Sequence, residues 1–202
     1  MTDTFADRAA DWDQPGKIEM AENFITELKR HIPVQPHWKG LEIGTGTGLA
    51  GLMLMPLLQS LVLEDTSESM LDVLRKKTSG MNNIEIIHGE VTDYRNQDID
   101  LVFSSMAFHH IDDIPGTLTH LHHITTPGAV VAIGDLRSED GSFHRFQPIP
   151  HKGFDTGKLS EQFRQAGFTV EKVETYHTLK QEKIPGTISE YEQFILIARK
   201  SV

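Results

Sequence analysis

The run Leu41-Glu42-Ile43-Gly44-Thr45-Gly46-Thr47-Gly48-Leu49 reads as a buried strand that enters a glycine turn and leaves it as a helix. Glycines at alternate positions let a backbone take left-handed dihedrals and come close to a ligand, because no Cβ stands in the way. A second apolar run, Leu61-Val62-Leu63, leads to Asp65. That acid falls about 20 residues beyond the turn, where an α/β fold places the carboxylate that hydrogen-bonds a ribose hydroxyl. Turn and acid together predict an adenosine bound at the carboxyl ends of parallel strands.

The third glycine position decides which adenosine compound fits. A dinucleotide fingerprint needs glycine at its first, third and sixth positions so that a helix N-terminus closes on a pyrophosphate. The sixth position here is Leu49, and Glu42 beside the turn would repel a diphosphate while suiting a cation. S-adenosylmethionine carries a sulfonium and an ammonium and no phosphate. Glu42, Gly44, Gly46, Gly48 and Asp65 in this order resemble the first motif of the class I S-adenosylmethionine-dependent methyltransferases, and the resemblance extends from Lys39 to the C-terminus.

The resemblance implies a cofactor site. Glu42 would order the cofactor amino group, often through water, while the turn Gly44-Thr45-Gly46 admits its methionine part and Gly48 opens the helix. Asp65 would accept both ribose hydroxyls, with Thr66 and Met70 flanking the adenine. In Gly89-Glu90-Val91, Glu90 stands where the family has aspartate and would accept from the adenine amino group, with the Val91 N–H donating to the ring. Ser104 and Ser105 would supply acceptors for the ammonium.

The chain of 202 residues fits one domain, 1–202, able to bury its own core. Its net charge of −10 supplies no field to draw in nucleic acid. The Lys76-Lys77 pair reads as a solvated helix end. No apolar run approaches the roughly 18 residues of a membrane span. Met1 to Phe5 lacks the basic and apolar regions of a signal peptide, and the chain has no cysteine. A cytoplasmic protein is expected, with no nucleic-acid or membrane partner.

Ile18, Ala21, Ile25 and Leu28 predict an amphipathic helix over about 17–30. Strands are expected at 40–43, 61–63, 83–88, 100–103 and 129–134. Between them fall a short helix ended or kinked by Pro56, a helix capped by Thr66 or Ser67, and one marked by Ile111, Ile114, Leu118, Leu121 and Ile124 that stops before Pro127-Gly128. A helix near 158–166 and strands at 168–173 and 191–199 close the chain. Strands alternating with helices predict a doubly wound parallel sheet with helices on both faces. The family adds the order 3-2-1-4-5-7-6, with strand 7 antiparallel.

Methyl transfer from a sulfonium is an in-line displacement that needs chiefly proximity and exclusion of water. A proton acceptor helps oxygen and carbon nucleophiles, and histidine is the natural one near neutral pH. His109, in Ser-Met-Ala-Phe-His-His-Ile, follows the fourth strand at the catalytic edge. His144 and His151 belong to an insert at 136–155 that is long for an α/β connection and should shape the acceptor pocket. Either could serve as base or substrate anchor, or could pin the loop. His120, His122 and His123 give a weak metal-ligand signal, read instead as charges at a helix C-terminus, and no metal is expected. Residues 1–33 are expected to form a helical lid.

The sequence therefore predicts a methyltransferase acting on a small molecule. Two rivals are a cofactor-binding partner subunit without activity and a nicotinamide oxidoreductase, which Leu49 and Glu42 oppose.

Overall fold

The computed structural model describes residue 6 and residues 8–144, 149–184 and 186–201. Positions 1–5 and 7 of the expected lid and 145–148 of the expected pocket insert lie outside the described residues. Seven strands form one sheet in the order β3-β2-β1-β4-β5-β7-β6. They are β1 (Lys39–Ile43), β2 (Ser60–Asp65), β3 (Ile84–His88), β4 (Ile99–Ser105), β5 (Thr125–Leu136), β6 (Phe168–Ile184) and β7 (Thr187–Lys200). Strands β1 to β5 are parallel, and β7 runs antiparallel to both β5 and β6.

Among the described residues five α-helices cover the sheet: α1 (Pro15–His31), α2 (Leu49–Leu54), α3 (Glu68–Lys77), α4 (Ile114–Ile124) and α5 (Thr156–Gln165). A strand covered on both faces must be apolar on both, and strand alternation divides its side chains between two cores. Leu61, Leu63, Leu101 and Phe103 pack with Phe24, Leu28, Leu54 and Leu71 of α1, α2 and α3. Leu41, Val62, Val102 and Val131 pack with Leu118, Leu121 and Phe163 of α4 and α5. Among the described residues no helix is long and apolar enough to cross a membrane.

Local signals fix the ends of the helices. Pro15 opens α1, where its missing N–H costs nothing, and α1 stops before Pro33. Ser67, rather than Thr66, caps α3, its Oγ accepting from Met70 N at 3.3 Å. The residues after Leu54 tighten into a 3-10 turn, Met55–Leu57, at Pro56.

The last two strands are longer than the sequence predicts. β6 continues eleven residues past Val173, to Ile184, and β7 starts at Thr187. This stretch is Glu/Lys/Thr/Gln-rich, and an antiparallel hairpin with a watered face needs no continuous apolar signal. The hairpin reaches back over the sheet edge, where Leu179 and Tyr191 join Met20, Leu136 and Phe143 in a small third core.

Candidate functional site

The carboxyl ends of β1, β2 and β4 meet at a cavity of about 1220 Å³. Its floor is the glycine turn, with φ of 66° at Gly44, 55° at Gly46 and 84° at Gly48. A Cβ on Gly44 would stand 2.3 Å from Ala107 Cβ, so glycine is demanded here by both conformation and space. Gly44→Ala should therefore destabilise the fold by about 2 kcal/mol or more, since left-handed backbone alone costs an L-residue roughly 1–2 kcal/mol. For a chain of this size that is a melting temperature lower by roughly 4–8 °C in calorimetry.

Asp65 stands at the lip of the cavity. Gly46 N donates to its Oδ2 at 2.7 Å and Ser67 N to its Oδ1 at 2.8 Å, so this carboxylate ties the turn to the start of α3. Deeper, Glu42 is 2% exposed and accepts from Thr45 Oγ1 at 2.6 Å. Burial, reinforced by the nearby charge of Asp65, pushes its carboxyl up to about 8, although the bonds from Thr45 and Gly51 pull the other way.

Thr66, Met70, Glu90, Val91 and Ser105 also line the cavity. Glu90 and Asp93 cap a 3-10 turn reciprocally, Glu90 N donating to Asp93 Oδ2 at 3.0 Å. Three residues taken from the motifs do not reach it. Gly48 is the left-handed N-cap of α2 and lies against Leu52 and Leu74, so its part is to start the helix. Ser104 is fully buried on the opposite sheet face, where its Oγ donates to the Ile43 carbonyl at 3.1 Å. Strand alternation exposes Ser105 to the cavity and turns Ser104 away. The ring of His151 bonds the Ile111 carbonyl at 2.9 Å and the His151 backbone N–H donates to the His109 carbonyl, so His151 pins the insert outside the cavity.

His109 and His144 do face the cavity, together with His110. His109 is 1% exposed, and its Nδ1 lies 2.7 Å from Oδ1 of the fully buried Asp135. The same carboxylate accepts from His109 N at 3.1 Å and Leu136 N at 2.6 Å. An acceptor-only partner fixes the proton on Nδ1 and turns the Nε2 lone pair outward. His109 Nε2 is 3.2 Å from His144 Nε2. Behind His144, Phe143 packs edge-on to Tyr191, and Ser142 Oγ lies 2.7 Å from the Tyr191 hydroxyl. Tyr191, at the start of the strand expected over 191–199, thus supports one wall of the site.

The N-terminal segment covers the opposite wall. Asp13 accepts from Thr47 Oγ1 and pairs with Lys77 Nζ, both at 2.5 Å, and Lys77 also donates to the Thr47 carbonyl at 2.8 Å. Lys77 is therefore a clasp between this segment and the glycine turn rather than a solvated helix end. Arg8, Trp12 and Lys17 line the cavity, Lys17 Nζ lying 4.5 Å from the Trp12 ring centre. The histidines of α4 also depart from expectation. Burial lowers the pKa of both His120 and His122, and His122 packs edge-on to Phe168, so neither is tuned to carry charge at the helix end.

Two buried acids carry no motif signal. Asp135 ends an apolar strand and is placed by its pairing with His109. Glu64, 3% exposed, lines the cavity from the face opposite Asp65, with Oε2 unpartnered. Burial, with the charge of Asp65, holds its carboxyl well above the usual range. The one available sign for Glu64 was an acid directly after three apolar strand residues, next to Asp65. Met106, at φ 55°, is a non-glycine residue in left-handed conformation on the cavity wall, a strain sequence does not reveal.

A parallel sheet with a glycine turn after β1, an acid ending β2 and a cavity over both defines a Rossmann-like nucleoside-binding fold. Residues 41–133 match the family described as a methyltransferase domain. An uncharacterized methyltransferase of Schizosaccharomyces pombe is 25% identical over 149 residues, 64% of this chain and 52% of that relative, so the chain spans about half its length. A demethylmenaquinone methyltransferase of Staphylococcus saprophyticus is 26% identical over 209 residues, covering 86% of this chain and 90% of the relative. In the complex between the Haloferax volcanii Trm112 methyltransferase activator and a methyltransferase, one chain superposes with a TM-score of 0.84 at 18% identity, over 100% of both chains. The matched segment, which carries the glycine turn and Asp65, together with these likenesses supports a class I S-adenosylmethionine-dependent methyltransferase family.

Proposed function

We propose that the chain transfers the methyl group of S-adenosylmethionine to a small molecule held at the His109, His110 and His144 end of the cavity. The observation that carries this is the continuity of one cavity, from Gly44, Gly46 and Asp65 at one end to the three histidines at the other. Its volume of about 1220 Å³ exceeds the roughly 300–1,000 Å³ of an ordinary ligand site. Two molecules fit side by side, as an in-line transfer needs.

On this reading Asp65 holds the ribose, Thr66, Met70, Glu90 and Val91 surround the adenine, and Glu42 and Ser105 serve the ammonium. Residues 8–33 close over the cofactor as a lid, and the insert at 136–155 forms the acceptor wall within a single domain. The polar lining contributed by Ser142 and His144 favours catalysis over a silent partner subunit.

Titration of S-adenosylhomocysteine and NAD into the purified protein tests the reading. Binding of the former with none of the latter is expected, and tight binding of NAD alone would overturn it. Affinity should also follow pH. Below about 8 Glu42 keeps its proton, and an arriving ammonium favours the ionised form, so binding expels that proton. Affinity then climbs by up to about tenfold per pH unit towards pH 8 and flattens above it. Calorimetry should record the released proton, and Glu42→Gln should remove the slope.

A further inference from the structure

We infer that His109, His110 and His144 form a binding site for a divalent transition-metal ion of the zinc class, with its open coordination position facing the cavity. One ring nitrogen from each residue lies within 4.8 Å of the other two. The ring centres are 4.3 Å apart for His109 and His110, 4.6 Å for His109 and His144, and 5.6 Å for His110 and His144. The 3.2 Å separation of His109 Nε2 and His144 Nε2 is close to the roughly 3.3 Å between two imidazole ligands on a tetrahedral zinc with bonds of about 2.0–2.1 Å. A hydrogen bond between two rings would also suit that distance, but it does not call for the third imidazole.

Asp135 supplies an independent argument. Metal-bound histidines commonly donate their remote N–H to a carboxylate that fixes the tautomer and orients the ring. Asp135 is buried, 2.7 Å from His109 Nδ1, and also accepts the backbone N–H of His109. It therefore turns Nε2 towards His144. Neutral imidazoles suit zinc, cobalt, nickel or iron better than magnesium or calcium, which prefer oxygen ligands. With three protein ligands, the fourth position is left for a cavity molecule.

The role in catalysis rests on the methyltransferase reading; the site itself does not. A hydroxyl or thiol of the acceptor would fill the fourth position and lose its proton to water. Its oxygen or sulfur would then bond the methyl carbon as the carbon–sulfonium bond breaks, the electron pair staying on the sulfur of the departing thioether.

Zinc(II) and cobalt(II), each without cofactor, should be titrated into the full chain after chelator treatment. The expected result is one ion per chain and, for cobalt, the visible absorption of a four-coordinate nitrogen site. His110→Ala and His144→Ala alter residues at the cavity surface, and each should weaken binding on the order of 100-fold or more. Asp135→Asn should weaken it about 10–100-fold, as for an outer-shell partner. Glu27, His31 and Glu174 form the other cluster of metal-ligating groups among the described residues, already paired with Arg30 and Lys172. Glu174→Gln should therefore change nothing.

Absence of stoichiometric binding, binding unaltered in His144→Ala, or binding lost in Glu174→Gln would overturn the inference and leave a hydrogen bond between His109 and His144. The separate S-adenosylhomocysteine titration reports on the cofactor end, so failure of one reading is distinguishable from failure of the other.

Discussion

Asp65→Ala is expected to weaken S-adenosylhomocysteine binding by at least about 100-fold while the protein stays folded. In the proposed pose its carboxylate accepts two ribose hydroxyls, and a hydrogen bond to a charged group contributes about 1.5–3 kcal/mol. Two such bonds give about 3 kcal/mol or more, and each 1.4 kcal/mol corresponds to roughly tenfold in affinity. A second effect acts in the same direction. Asp65 also holds Gly46 N and Ser67 N, so its removal loosens the turn on which the methionine part would lie. A carboxylate has about four acceptor directions, enough to keep both backbone donors and add the hydroxyls. Asp65→Asn keeps one acceptor oxygen and should fall between the two. Calorimetric titration separates the cases, and an Asp65→Ala affinity within threefold of the parent would show that the ribose is not held there.

The glycine-turn end of the cavity was legible because its geometry is local. A turn that only glycine can make and an acid at a strand tip are set by neighbouring residues, and Gly44, Gly46 and Asp65 stand where the sequence puts them. The motif did not separate neighbours with different directions. Ser104 and Ser105 are equivalent in sequence, and only strand alternation sends one to the core and the other to the cavity. The acceptor end depends on contacts between distant segments. His109 meets Asp135 across 26 residues and His144 across 35, and behind His144 Ser142 meets Tyr191 across 49. Sequence spacing identified His109 and His144 as candidates, but it could not show that His151 turns outward while Asp135 and His110 join them.

Asp135 should also prove to be among the residues whose replacement costs most stability. All three of its observed bonds are acceptances, from His109 Nδ1, His109 N and Leu136 N. Asp135→Asn brings an NH2 that cannot accept, so at least one buried donor loses its partner. A buried donor left unsatisfied costs about 1–3 kcal/mol, and a hydrogen bond to a charged group contributes about 1.5–3 kcal/mol. A loss of about 2–4 kcal/mol follows, which for a protein of this length lowers the melting temperature by roughly 5–15 °C. The penalty arises from the orphaned partner rather than from any large net gain in the pair, and this gives a sharper expectation. His109→Leu with Asp135→Leu strands neither side chain, although the backbone donors His109 N and Leu136 N still lose their acceptor, so the double variant should lose less than the sum of the His109→Leu and Asp135→Leu losses. A thermal-denaturation double-mutant cycle measures the difference. Additive losses would mean that the two side chains act independently, and that Asp135 does not hold the His109 ring in its cavity-facing orientation.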